Sequence, residues 1–104
     1  MRRDSRLHCM IVLYPNKEGP KFDFEYSMQK HIPLAKALLG HEFKVSRGMS
    51  SAPVGQPPFL CIAWMDIGTV EEFVPVLTRQ LEALRNDIPN YTNLEPVIQF
   101  EQVL

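Results

Sequence analysis

The sequence predicts one α+β domain in the order strand, helix, strand, strand, helix, strand. Three observations carry this. Residues 7–14 (LHCMIVLY) and 59–67 (FLCIAWMDI) are apolar on both faces, as central strands should be. Residues 42–50 alternate apolar and polar, as an edge strand with one wet face should. Two longer segments repeat their apolar residues at helical spacing, between the first and second strands and between the third and fourth.

Residues 1–6 are polar and are expected to be a flexible N-terminus, with residues 7–104 forming the single domain. The first strand stops at Pro15-Asn16, and a loop follows around Gly19-Pro20. Asp23 is placed to cap a helix running to about Leu39, with Gly40 as its stop. Phe24, Met28, His31, Ala35 and Leu38 would share its inward face. Pro33 lacks an amide donor, frees the Gln29 carbonyl and should push Ile32 away from helical angles. A kink or break beside His31 is the expectation.

In the second strand, Phe43, Val45, Arg47 and Met49 lie on one side. Residues 51–58 carry three prolines and a glycine and read as a loop. Thr69-Val70-Glu71-Glu72 fits a capping box, in which hydroxyl and carboxylate each satisfy an orphan amide. The second helix would bury Val70, Phe73, Val74, Leu77, Leu81 and Leu84, with a bend at Pro75 and an end near Asn86. Asp87 to Thr92 reads as an ordered turn, and Pro96 to Leu104 as the last strand.

This order is the split βαβ, or ferredoxin-like, pattern. It puts the first and third strands in the middle of a four-stranded antiparallel sheet, with both helices on one side. The other side then exposes either Leu7, Cys9, Ile11 and Leu13 or Met10, Val12 and Tyr14, depending on register. An apolar patch of that size marks an interface, and a two-fold homodimer with sheets face to face is the simplest closure.

Composition narrows the function. With 104 residues, 45% hydrophobic and 22% charged, the chain has the balance of a globular domain rather than a disordered tail. A net charge of −1 and no basic stripe argue against nucleic acid. No stretch approaches the ~20 apolar residues of a membrane span, and Arg2-Arg3 before a short apolar run lacks a cleavage site, so a cytoplasmic protein is expected. Cys9 and Cys61 lie in apolar runs and read as small hydrophobes rather than a disulfide pair. Three histidines at dispersed spacing form no metal motif, and phosphate loop, nucleophile elbow and Cys-X-X-Cys are all missing. No metal and no cofactor is therefore expected.

His31 is the candidate catalytic residue. It falls on the inward helical stripe beside a proline, and imidazole is the usual proton shuttle near neutral pH. The bland alternative is a buried histidine satisfied by backbone, the Gln29 carbonyl being the local partner. Tyr14, Tyr26, Trp64 and Tyr91 are amphipathic rings suited to shaping a pocket for a flat organic ligand, or ordinary core and rim residues. Asn90 is a further candidate, although its place after a proline suits holding the turn. Arg47 is expected to pair with Asp66, Glu42 or a partner subunit.

Taken together, these residues resemble the EthD family, named for ethyl tert-butyl ether degradation, within the dimeric α/β-barrel superfamily. The likeness rests on Leu13-Tyr14-Pro15-Asn16, Phe22-Asp23 with Tyr26, and His31-Ile32-Pro33-Leu34. It continues through Arg47-Gly48, the stretch Asp87 to Thr92, and Pro96-Val97-Ile98-Gln99. The resemblance implies a sheet-to-sheet homodimer with a pocket between sheet and helices in each subunit. It implies action on, or binding of, a small hydrophobic or aromatic compound. Relatives of this architecture include cofactor-independent monooxygenases, isomerases and cyclases, which work by positioning and proton transfer. The alternative is a non-catalytic accessory or ligand-binding protein serving an oxygenase system, and fold alone does not choose between them.

Overall fold

The structure, a computed structural model, describes residues 7–104; the expected flexible segment 1–6 lies outside them. Four antiparallel strands form one sheet: β1 (His8–Pro15), β2 (Phe43–Arg47), β3 (Phe59–Gly68) and β4 (Val97–Gln102). Their spatial order is β2-β3-β1-β4. The two doubly apolar runs occupy the centre, as their composition requires.

Register decides which residues face the helices. Met10 pairs with Met65, Val12 with Ala63, and Tyr14 with Cys61. Met10 and Met65 are buried in one cluster with Ala35, Leu39, Phe73 and Leu77 of the helices. The intervening pairs, Ile11 with Trp64 and Leu13 with Ile62, stand on the opposite face and are half-buried. Of the two sets of β1 residues left open by the sequence, Cys9, Ile11 and Leu13 are therefore on the helix-free side.

The first helical segment consists of α1 (Phe24–Tyr26), a π turn (Ser27–His31) and α2 (Ile32–Leu39). The Tyr26 amide donates to Asp23 Oδ1 at 3.0 Å, and Gly40 ends the segment in the left-handed conformation at φ 79°. The expected break at Pro33 is replaced by the wide turn, and Ile32 keeps helical angles (φ −64°, ψ −45°). The Ile32 amide reaches back five residues to the Ser27 carbonyl. Pro33 thus becomes the second residue of a new α segment, a position whose amide has no obligatory helical partner. The wide turn also changes the phase of the buried stripe. Ser27, His31, Ala35 and Leu39 face inward, whereas Met28, expected there, is 48% exposed.

The long helix α3 (Val70–Asp87) runs continuously across Pro75. The Thr69 hydroxyl accepts from the Glu72 amide at 3.2 Å and donates to Glu72 Oε1 at 3.0 Å. The carboxylate therefore braces the cap hydroxyl, and the next amide, Val70, donates to His8 Nδ1 at 3.0 Å. Val74 is exposed, and Val76 packs against the core instead. A 3₁₀ turn (Ile88–Asn90) links α3 to the segment before β4.

Two edge features depart from or explain the sequence reading. Arg47 places its guanidinium 4.5 Å from the Phe24 ring centroid, a cation–π contact rather than an ion pair with Asp66 or Glu42. A Cβ at Gly48 would run into the Phe59 carbonyl, so only glycine lets β2 leave β3 at this point.

Candidate functional site

Between the helix side of the sheet, α2, α3 and the segment after the 3₁₀ turn lies a cavity of about 460 Å³. Its wall is mostly apolar, with Met10, Val12, Ala35 and Leu84 among its residues, and His31, Tyr14, Arg85, Thr92, Asn93 and Glu95 are its polar members. A volume of this size suits a small organic molecule.

His31 is delivered by the π turn and is buried to 8% exposure. Its Nδ1 lies 2.9 Å from Asp87 Oδ2. Asp87, the last residue of α3, also accepts from the Tyr26 hydroxyl at 2.8 Å and from Asn90 Nδ2 at 2.9 Å, both on Oδ1. Burial pushes the Asp87 carboxyl up, but the bonds from Asn90, Tyr26 and His31 outweigh it and hold the group below its ordinary range. An ionised Asp87 accepts and cannot donate, so Nδ1 carries the proton toward it. The partner expected for His31, the Gln29 carbonyl, is replaced by a carboxylate 56 residues away in sequence.

Behind His31 stands Tyr91, its ring centroid 4.6 Å away. The Tyr91 and Tyr14 hydroxyls are 2.7 Å apart and buried. Burial pushes the Tyr14 hydroxyl up to about 12, with the Tyr91 hydrogen bond pulling the other way. Burial, and then the proximity of Tyr14, push Tyr91 further still. Both rings are phenols, not phenolates, at physiological pH. Tyr26 is raised too, because its hydrogen bond to Asp87 opposes ionisation.

The sequence-predicted residues separate into three groups. His31 and Tyr14 line the cavity. Tyr26, Asn90 and Tyr91 stand behind that wall, the first two on Asp87 and the third against His31 and Tyr14. Trp64 is on the other face of the sheet, between Ile11 and Lys44, and outside the wall of this cavity. Asn90 holds the turn, in keeping with its place after Pro89.

Asp87 is the residue that sequence reasoning missed as a site member. The available signal was its place four residues before Tyr91, in a turn expected to be ordered.

Both cysteines are free thiols. Burial pushes Cys61 up to about 11. Burial and then the Asp66 carboxylate, which accepts from Cys9 Sγ at 3.2 Å, raise Cys9. Neither is poised as a nucleophile. Among the described residues, no group of three or more His, Cys, Asp or Glu is gathered to hold a metal, and no helix is long and apolar enough to cross a membrane.

No family model and no curated protein matches the sequence. Solved structures do. An EthD family protein from Bacillus halodurans C-125 superposes with a TM-score of 0.65 at 23% identity, over 89% of this chain and 96% of that one. That likeness is one of fold. An EthD-like protein from Ralstonia eutropha JMP134 superposes with a TM-score of 0.84 at 30% identity. The alignment spans 92% of this chain and 90% of its counterpart. On that identity and coverage, the protein belongs to the EthD-like family.

Proposed function

We propose that this protein is a homodimer whose subunits each bind a small hydrophobic or aromatic compound in the 460 Å³ cavity and move a proton on it through His31. The observation that supports the reading is the His31–Asp87 contact of 2.9 Å at the wall of an apolar cavity. With Nδ1–H directed at the carboxylate, the base form of the ring has its lone pair on Nε2, where a general base needs it. Nε2 has no protein partner among the described residues. Asp87 is a positioning residue: it sets the tautomer, and it stabilises the imidazolium formed when the base takes up a proton. Tyr26 and Asn90 orient Asp87 in turn.

Proton removal from a carbon acid or phenol is the common opening of isomerisation, cyclisation and cofactor-independent oxygenation. A placed imidazole contributes roughly 10²–10⁴-fold to such a step. The dimer would form through the helix-free face, where Ile11, Leu13, Ile62 and Trp64 present an apolar strip. Burying that strip against its own copy removes it from water symmetrically.

The apolar wall equally suits a carrier that holds its ligand without turnover, an accessory role. His31→Ala in a ligand-binding protein separates the two. Turnover lost with binding retained supports the enzyme; binding and turnover both unchanged remove His31 from the function.

A further inference from the structure

The Tyr14–Tyr91 pair carries information about the ligand itself. Two hydroxyls hold two protons, and their mutual hydrogen bond of 2.7 Å uses one. If Tyr14 donated to Tyr91, the spare proton would sit on Tyr91, which is 3% exposed and away from the cavity wall. A buried donor without an acceptor is costly. If Tyr91 donates to Tyr14, the spare proton sits on Tyr14, which lines the cavity. The second arrangement is favoured, because there the spare donor belongs to a residue of the 460 Å³ cavity wall, whereas Tyr91 borders only the more open depression beside Lys21 and Asn93. Receiving a hydrogen bond also polarises the Tyr14 O–H and makes it a stronger donor.

We infer that Tyr14 donates a hydrogen bond to the ligand, and that the cavity therefore takes a small molecule bearing a carbonyl or enol oxygen rather than a pure hydrocarbon. The inference rests on the proton-transfer reading of the same cavity and adds the substrate class. In the step it implies, His31 Nε2 takes a proton from the carbon next to the carbonyl. The C–H electron pair becomes the C=C bond of an enolate, and the negative charge moves to the oxygen held by Tyr14. Returning the proton from His31 to carbon restores the ketone, so no oxidant or reductant is consumed. A neutral donor whose own ionisation is strongly suppressed stabilises such an oxygen without giving up its proton.

The test uses two near-isosteric probes, acetophenone and α-methylstyrene, which differ by C=O against C=CH₂. Affinities are read by NMR titration of the full-length protein, and acetophenone methyl exchange is followed in D₂O. Acetophenone is expected to bind roughly three- to tenfold tighter than α-methylstyrene, the worth of one neutral hydrogen bond. Tyr14→Phe should remove that preference while leaving α-methylstyrene affinity unchanged, and Tyr91→Phe should reduce it. Equal affinity of the two probes for the unmodified protein overturns the assignment, without need of any variant. Exchange unaltered by His31→Ala, with the ketone preference intact, overturns the proton-transfer reading and leaves Tyr14 as a specificity residue. Failure of both probes to bind at millimolar concentration overturns both.

Discussion

On one face of β1, Met10 is buried by helices and Tyr14 by Phe22, Tyr91 and Leu94 of the same chain; on the other, Ile11 and Leu13 are half-buried beside neighbouring strands alone. Both faces come from one alternating run of eight residues. The covered face is closed imperfectly, and the gap is the cavity. Polar groups on that side are knotted together: His31 to Asp87, Tyr14 to Tyr91. On the open face Cys9 donates to Asp66 and Gln99 to Glu101, and neither bond reaches a cavity. The proposed function and the proposed assembly thus fall on opposite sides of one sheet, and each side can be perturbed without touching the other.

The largest expected effect is on the open face. Ile11→Asp would put a charge into the proposed interface in both copies, at roughly 3–5 kcal/mol for each unpaired buried charge. Analytical ultracentrifugation should show a dimer for the unmodified protein and a folded monomer for the variant. A monomeric unmodified protein at micromolar concentration breaks the comparison, because the open face would then tolerate water.

Next comes Met65→Ala on the covered face. Met65 is fully buried, and truncation should cost about 2–5 kcal/mol by urea unfolding. A cost below 1 kcal/mol would mean that the helices close the sheet more loosely than the packing shows. Asp87→Asn should follow, at roughly 1–3 kcal/mol for weakened bonds to His31 and Tyr26.

The pH profile sharpens this third prediction. The Asp87 carboxyl is held below its ordinary value of 3.8, so its contribution is fully present above that pH. It is lost as pH falls through the lower folded value, where the native state must take up a proton. Unfolding measured from pH 6 to pH 2 should show a steeper acid decline for the unmodified protein than for Asp87→Asn. Parallel profiles would remove Asp87 as an ionised anchor.

The smallest effect is Thr69→Ala at the start of α3. Losing the cap to the Glu72 amide should lower stability by about 0.5–2 kcal/mol, with the oligomeric state unchanged. A shift in oligomeric state would show that the two faces are coupled.

Much of the fold was legible because local chemistry and the tertiary structure agree. Asp23, Gly40 and Thr69 mark helix ends in the sequence and cap them in the structure. The site was half legible. His31 could be picked out because an inward polar residue beside a proline is unusual. Its partner could not, since Asp87 comes from the far end of another helix and looks locally like an ordinary helix-terminal acid. The place of Trp64, on the face away from the cavity, was hidden for a related reason. In a strand apolar on both sides, neither face is labelled by its composition.

The amino-acid order alone determined the succession of elements, the central place of the two doubly apolar strands, and the residues that cap the helices. These follow from periodicity and from backbone groups that need partners within a few residues. Tertiary structure decided the π turn, which moves Ser27 inward and Met28 out, the face of β1 that meets the helices, and the pairing of His31 with Asp87. Each of those is a choice between arrangements of nearly equal local energy. Only the contacts made across the chain, between packed side chains and one shared carboxylate, distinguish them.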